Sequence, residues 1–190
     1  MEMSRNEVAR GFLGEIFGPI PEDSCVEIRV KRNGESGVQR SFITDPQSLR
    51  VDGFPHDANV WFGVCLRRRG TTRGTGGDLT WASCVWADFD QVADKQGKIQ
   101  QLRKCETPPW MIVDSGGGLH AYWKLNRLLD LRDETQATYI REVVYGLAHK
   151  LDGDRAVHDL ARCMRLPGTY NPGNGNTKVY DPPREARVIH

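Results

Sequence analysis

The sequence predicts an α+β fold, a mixed or antiparallel sheet with flanking helices. Three observations carry this. Strand-like and helix-like apolar periodicities alternate irregularly along the chain. An Asn33-Gly34 pair joins two alternating segments, which is a hairpin signal. No internal repeat and no membrane-length apolar run interrupts the 190 residues, of which 38% are hydrophobic. A chain of this length suits one domain with a sizeable core.

Taken in order, residues 4–17 read as a helix. Val8, Phe12, Leu13, Ile16 and Phe17 form an apolar stripe, Ser4 with Glu7 fits a capping box, and Gly18-Pro19 ends it. Residues 25–31 alternate, with Val26, Ile28 and Val30 on one face and Glu27, Arg29 and Lys31 on the other. A partner strand follows near 38–44, then a loop to Asn59 and a continuous apolar strand over 60–66. Arg67 to Asp78 holds four arginines, four glycines and three threonines and reads as a long flexible connection. The run Cys84-Val85-Trp86-Ala87 is a strand that ends in Asp88-Phe89-Asp90. A weak helix over 91–104, anchored by Val92, Ile99 and Leu102, stops before Pro108-Pro109.

A short strand over 110–113 enters the turn Asp114-Ser115-Gly116-Gly117-Gly118. The next strand puts Leu119, Ala121, Trp123 and Leu125 on one face and His120, Tyr122 and Lys124 on the other. Residues 133–151 are the clearest helix, with Ala137, Ile140, Val144, Leu147 and Leu151 on one stripe and His149-Lys150 at its end. Residues 166–173 are turn-rich, and a short strand over Lys178–Tyr180 precedes a Pro pair.

Five cysteines, an odd number without a Cys-x-x-Cys pair, argue against a zinc ribbon. Reduced thiols, no signal-peptide pattern and a cytoplasmic setting without a membrane are expected. The net charge of +1 favours no partner, but its distribution does. Arg67, Arg68, Arg69 and Arg73 form one basic block, and Arg162, Arg165 and Lys178 are spread through another stretch. Such blocks suit polyphosphates or nucleic acid.

Three stretches carry candidate chemistry. In a strand, Asp88 and Asp90 share a face, and a hard divalent cation would relieve their repulsion. The same spacing also suits a strand running into an acidic turn. Ser115-Gly-Gly-Gly-Leu-His120 can form an anion-binding nest, in which Ser115 and His120 donate to phosphate oxygens, or a plain tight hairpin. Residues 153–171 pack acids, arginines and a Pro-Gly turn together. Arg162 and Arg165 would share a face if locally helical, and arginine matches phosphate bidentately, although a surface ion-pair network fits too.

In this order the three stretches resemble the motifs of the archaeo-eukaryotic primase superfamily, in its plasmid- and phage-type primase-polymerases. Asp88-Phe89-Asp90 resembles the first motif, Ser115 to His120 the second, and Gly153-Asp154 the third. Arg165-Leu-Pro-Gly-Thr-Tyr-Asn171 resembles the segment that follows. The resemblance covers 60–180 and implies a primase-polymerase core, RRM-like, over 59–190. Residues 1–58, the N-terminal helix and hairpin, would be part of the same compact unit. It implies a nucleotidyltransferase acting on NTP or dNTP with a single-stranded DNA template.

Asp88, Asp90 and Asp154, with Asp159 as the alternate third acid, would hold two Mg²⁺ or Mn²⁺ ions. His120 would serve the reaction as a donor to the triphosphate. Ser115, Gly117, Arg165, Asn171 and Lys178 would complete the nucleotide site. Arg67, Arg68, Arg69 and Arg73 would guide the template or the initiating nucleotide. A helicase domain in the same or a neighbouring chain is a further expected partner, and the Pro-rich stretch before the last residues fits a domain of a longer protein. A non-catalytic single-stranded nucleic-acid-binding domain and, behind it, a two-metal nuclease are the competing readings.

Overall fold

Helix α1 (Arg5–Phe17) begins where two orphan amides are satisfied reciprocally. The Glu7 amide donates to Ser4 Oγ at 3.2 Å and the Ser4 amide to Glu7 Oε2 at 2.7 Å. This computed structural model describes residues 3–175 and 178–189. After α1 come β1 (Ser24–Arg32), β2 (Gln39–Ile43), β3 (Ala58–Gly63), β4 (Arg67–Arg68) and β5 (Trp81–Asp90). Helix α2 (Lys95–Lys104), β6 (Met111–Asp114), β7 (Gly118–Asp130) and α3 (Glu134–Lys150) follow. The chain closes with β8 (Cys163–Arg165), β9 (Tyr170–Gly173), β10 (Val179–Glu185) and β11 (Arg187–Ile189).

The strands form two main sheets. One runs β2-β1-β3-β8, with β4 also paired to β1; the other runs β11-β6-β7-β5. A ribbon of β9 and β10 stands apart. Every strand pairing among the described residues is antiparallel. The fold is α+β, as the alternating periodicities require.

Helix α1 packs against both sheets. The Phe12 ring centre is 5.0 Å from that of Phe62 on β3 and 5.8 Å from that of Tyr122 on β7, both edge-on. Helices α2 and α3 serve the face of β5 that carries Phe89. Lys98 of α2 sits 4.6 Å above the Phe89 ring, and α3 buries Ala137, Ile140, Val144 and Ala148.

Three expectations change. The basic stretch 67–78 is tied down rather than flexible throughout. It contains β4 and a 3-10 turn, Gly76–Asp78, whose Asp78 carboxylate accepts from the Thr75 amide at 3.0 Å and hydroxyl at 2.7 Å. The stretch after Gly153 is not helical but a 3-10 turn, Arg155–His158, followed by β8, so Arg162 and Arg165 share no helix face. The strand at Lys178–Tyr180 is instead β10, which continues through Pro182-Pro183 with a register shift. A two-stranded ribbon tolerates this because both of its strands are edges.

Phe12→Ala removes the ring that touches both sheets and is expected to cost about 3–5 kcal/mol, read as a lower midpoint in urea denaturation.

Candidate active site

The site begins on β5. Alternation puts Trp86, Asp88 and Asp90 on one face, and register sets Trp86 opposite Tyr122 and Asp88 opposite His120 of β7. Because β5 is the edge of its sheet, the outward carbonyl of Asp88 is free of a strand partner. It accepts instead from the Asp154 amide at 2.8 Å. Gly153 makes this approach possible, since a Cβ there would lie 2.9 Å from the same carbonyl oxygen. The Trp86 indole N–H donates to the Val157 carbonyl at 3.1 Å and fixes the turn beyond. A residue 66 positions downstream of Asp88 thus sits beside it.

The guanidinium of Arg162 lies between the two acids. Its Nη2 is 3.5 Å from Asp88 Oδ2 and 3.3 Å from Asp154 Oδ2. Asp90 is exposed, with Lys178 Nζ 3.8 Å from its Oδ1. Burial raises the Asp88 carboxyl to about 6, helped by the charges of Asp90 and Asp154 and opposed by Arg162. Asp159 turns elsewhere, accepting from the Ala161 amide at 2.9 Å. The geometry therefore brings Asp154, and not Asp159, to Asp88.

His120 is buried, and desolvation, with the charge of Arg165 second, pushes its pKa down to about 3. Its Nε2 is 3.7 Å from Asp88 Oδ1, but a neutral ring makes that contact no ion pair. The Tyr122 hydroxyl lies 3.3 Å from Nδ1 and donates to Met164 Sδ at 3.8 Å.

The glycine turn is closed on itself. Ser115 Oγ accepts from the Gly118 amide at 3.0 Å, and the Ser115 amide donates to the Gly118 carbonyl at 3.0 Å. Gly118 has to be glycine, since a Cβ would collide with the Phe89 carbonyl. Asn171 Nδ2 donates to the Ser115 carbonyl at 2.8 Å and so ties β9 to the turn.

The five-stranded sheet supplies the opposite wall. Arg165 donates to Asn59 Oδ1 at 2.7 Å and to the Tyr170 carbonyl at 3.2 Å, and its guanidinium lies 5.1 Å from the Trp61 ring centre. Burial lowers its pKa to about 10, so it stays charged at neutral pH, and among the described residues it has no carboxylate partner. The two walls enclose a cleft of about 380 Å³.

Asp88, Asp90, Ser115, Gly117, His120, Arg165, Asn171 and Lys178 all line this cleft. Asp154 adjoins it through Asp88. The basic stretch does not reach it. Arg67 is fully buried, with Nε 3.1 Å from Glu27 Oε2 and donors to the Cys65 and Ala161 carbonyls at 3.0 and 2.9 Å. It is therefore corrected from a template contact to an internal counter-ion. Arg68 pairs with Asp78 at 3.0 Å, Arg69 donates to the Glu22 carbonyl at 3.3 Å, and Arg73 is exposed; none of the three lines the cleft.

Sequence reasoning missed Tyr122, Asn59, Trp61 and Lys31 as parts of the site. Tyr122 was visible on the His120 face of its strand. Trp61 was hidden in an apolar run that read as wholly buried.

No protein-family model and no curated protein matches the sequence. Solved structures do. The archaeo-eukaryotic primase domain of the cyanophage S-2L primase-polymerase superposes with a TM-score of 0.67 at 15% identity, over 98% of this chain and 90% of that one. The fold is that of a primase-polymerase domain. The primase RepB' gives 0.64 at 13% identity, with this chain spanning 56% of its length. The RepB' catalytic domain in complex with initiator DNA gives 0.63 at 14% identity, covering 98% and 85%. At these identities the likeness establishes the primase-polymerase fold, and the chemistry is argued from the cleft.

The two central groups titrate in opposite senses. His120, lowered from the ordinary 6.5, binds its proton in the unfolded chain first, so its protonation weakens the fold as pH falls. Asp88, raised from the ordinary 3.8, binds its proton in the folded chain first, so its protonation strengthens the fold as pH falls from about 6 to about 4. Asp88→Asn removes that second effect. The variant is expected to lose stability more steeply than the wild type on acidification through that window, measured by urea denaturation of the metal-free protein at a series of pH values.

Proposed function

We propose that this chain is a primase-polymerase, transferring nucleotidyl groups from NTP or dNTP to a 3′-hydroxyl on a single-stranded DNA template in plasmid, phage or mobile-element replication. The observation that carries the reading is the pairing of walls. The largely buried Asp88 and the exposed Asp90 beside it on β5 face a buried arginine that has no carboxylate partner among the described residues, across the cleft. A polyanion neutralised by cations on one side and by Arg165 on the other satisfies both walls at once. The RepB' catalytic domain, solved with initiator DNA, lends the DNA partner its support.

The donor set fits hard divalent cations, since Asp88, Asp90 and Asp154 offer only oxygen and Asp88 already feels the charges of the other two. Among the described residues no three His, Cys, Asp or Glu side chains stand as a ready ligand group; Arg162 lies between two of the acids. Asp88, Asp90 and Asp154 would hold Mg²⁺ or Mn²⁺, which would activate the 3′-hydroxyl and neutralise the leaving pyrophosphate. The protein's own share is positioning. Neutral His120 turns its Nε2 edge to the triphosphate, Tyr122 lies against Nδ1, and Arg165 grips phosphate oxygens. Ser115 and Asn171 hold the glycine turn so that Gly117 meets the nucleotide with its backbone. Lys178, drawn to Asp90, adds charge at the mouth.

The Arg162 bridge favours a second reading, a non-catalytic strand-binding domain in which a guanidinium replaces the cations. It would bind single-stranded DNA without metal dependence and make no product.

Labelled nucleotide is expected to be incorporated on a single-stranded template with Mg²⁺ or Mn²⁺, and Asp88→Ala/Asp90→Ala to abolish it; full activity in that double variant would refute the assignment. Arg162→Gln frees the two acids and is expected to tighten Mn²⁺ binding several-fold without nucleotide present, read by calorimetry. Unchanged affinity would show that the bridge does not compete with the ion.

A further inference from the structure

The five-stranded sheet carries a row of cations beyond the nucleotide site. Register sets Arg40 of β2 opposite Arg29 of β1, Arg29 opposite Trp61 of β3, and Trp61 opposite Arg165 of β8. Directly paired residues share a face, and strands lie about 4.8 Å apart, so the row runs about 14 Å from the cleft wall to the edge of the sheet. Lys31, two residues on from Arg29 along the same face, is paired with Asn59 and also lines the cleft.

Two arginines directly opposite each other repel. Glu27 holds them together. Wholly buried, its carboxylate lies 2.7 Å from Arg29 Nε, 3.4 Å from Arg40 Nε and 3.1 Å from Arg67 Nε. Glu27, with the nearby charge of Asp159 acting on Arg29, leaves one positive charge over among the three guanidiniums, and Lys31 on the same face adds another, on a chain whose net charge is +1. Arg67 is sealed inside, while the Arg29 and Arg40 side chains keep 24% and 36% of their exposure, so the excess faces solvent. The half-buried Trp61 ring sits within this row, between Arg29 and Arg165. Side-chain cations that can follow a phosphate backbone, flanking an aromatic platform, suit single-stranded nucleic acid.

We propose that this row is the track by which single-stranded DNA template enters the cleft: Trp61 stacks on a base while Arg29, Arg40 and Lys31 hold successive phosphates. The proposal rests on the primase reading and deepens it. It moves template contact from the basic stretch after β3 to the face of the sheet. Arg67 becomes a positioning residue that shares Glu27 and leaves its two neighbours charge to spare. Arg40 lies three strands from Arg165, so its charge serves a longer ligand than one nucleotide.

The test is anisotropy of a fluorescein-labelled oligothymidylate with the whole chain, without metal or nucleotide. Trp61→Ala is expected to weaken binding about tenfold, and Trp61→Phe, which keeps a ring and guards against misfolding, to retain most of it. Lys31→Gln/Arg40→Gln is expected to flatten the slope of log K against log salt by about 1.4, the contribution of two phosphate contacts on a single strand. Wild-type affinity and slope in these variants, or no binding by the wild type, would overturn the track. If the wild type binds through the row yet makes no product, the primase reading falls and the track stands. If product forms while binding ignores Trp61, Lys31 and Arg40, the track falls and the primase reading stands.

Discussion

One backbone hydrogen bond, from the Asp154 amide to the Asp88 carbonyl, organises the site. An edge strand has spare carbonyls, and a chain segment that caps one of them is fixed in space. Here the capping segment brings a second carboxylate to the first. It then passes through the turn held by Trp86 and delivers Arg162 between the two acids. At the next residue it enters the other sheet as β8, which presents Arg165. A single stretch of chain thus links the acidic wall to the basic wall. The cleft between them follows from how that stretch leaves β5.

The electrostatics follow from the same layout. Each wall buries charge that its own sheet does not neutralise. Asp88 is held near the middle of the pH range because it is desolvated beside other acids, whereas Arg165 keeps its proton even when buried. His120 lies between them and responds by staying neutral, which makes it a hydrogen-bonding group rather than a charged one. Glu27 solves the reverse problem, one acid shared among three arginines, and so turns a repulsive row into a stable surface.

Much of this was legible in the chain. Period-two alternation placed Asp88 with Asp90 and His120 with Tyr122, because a pleated strand leaves no other arrangement. The capping box at Ser4 and the glycine turn at 115–118 were readable because their signals are local. The basic stretch was misread because the partner of Arg67 lies 40 residues back in sequence, on a strand face that looked solvent-directed. The shape of the segment around Arg162 was illegible for a different reason. Its shape is set by hydrogen bonds to β5 rather than by any period of its own, so a helical spacing between two arginines carried no information there. Trp61 shows a third limit. A strand at the border between core and cleft is apolar on both faces, and only the tertiary fold says which face a ligand meets.

Helix α1 closes the seam between the sheets. Phe12, Phe62 of β3 and Tyr122 of β7 meet in one three-ring cluster, with ring centres 5.0, 5.8 and 6.4 Å apart. Tyr122 also reaches His120 of the cleft, its hydroxyl 3.3 Å from Nδ1. The seating of a cleft group is thereby coupled to the bulk of an interior side chain. A change of volume at position 12 can alter what the cleft admits while every residue that lines it stays the same.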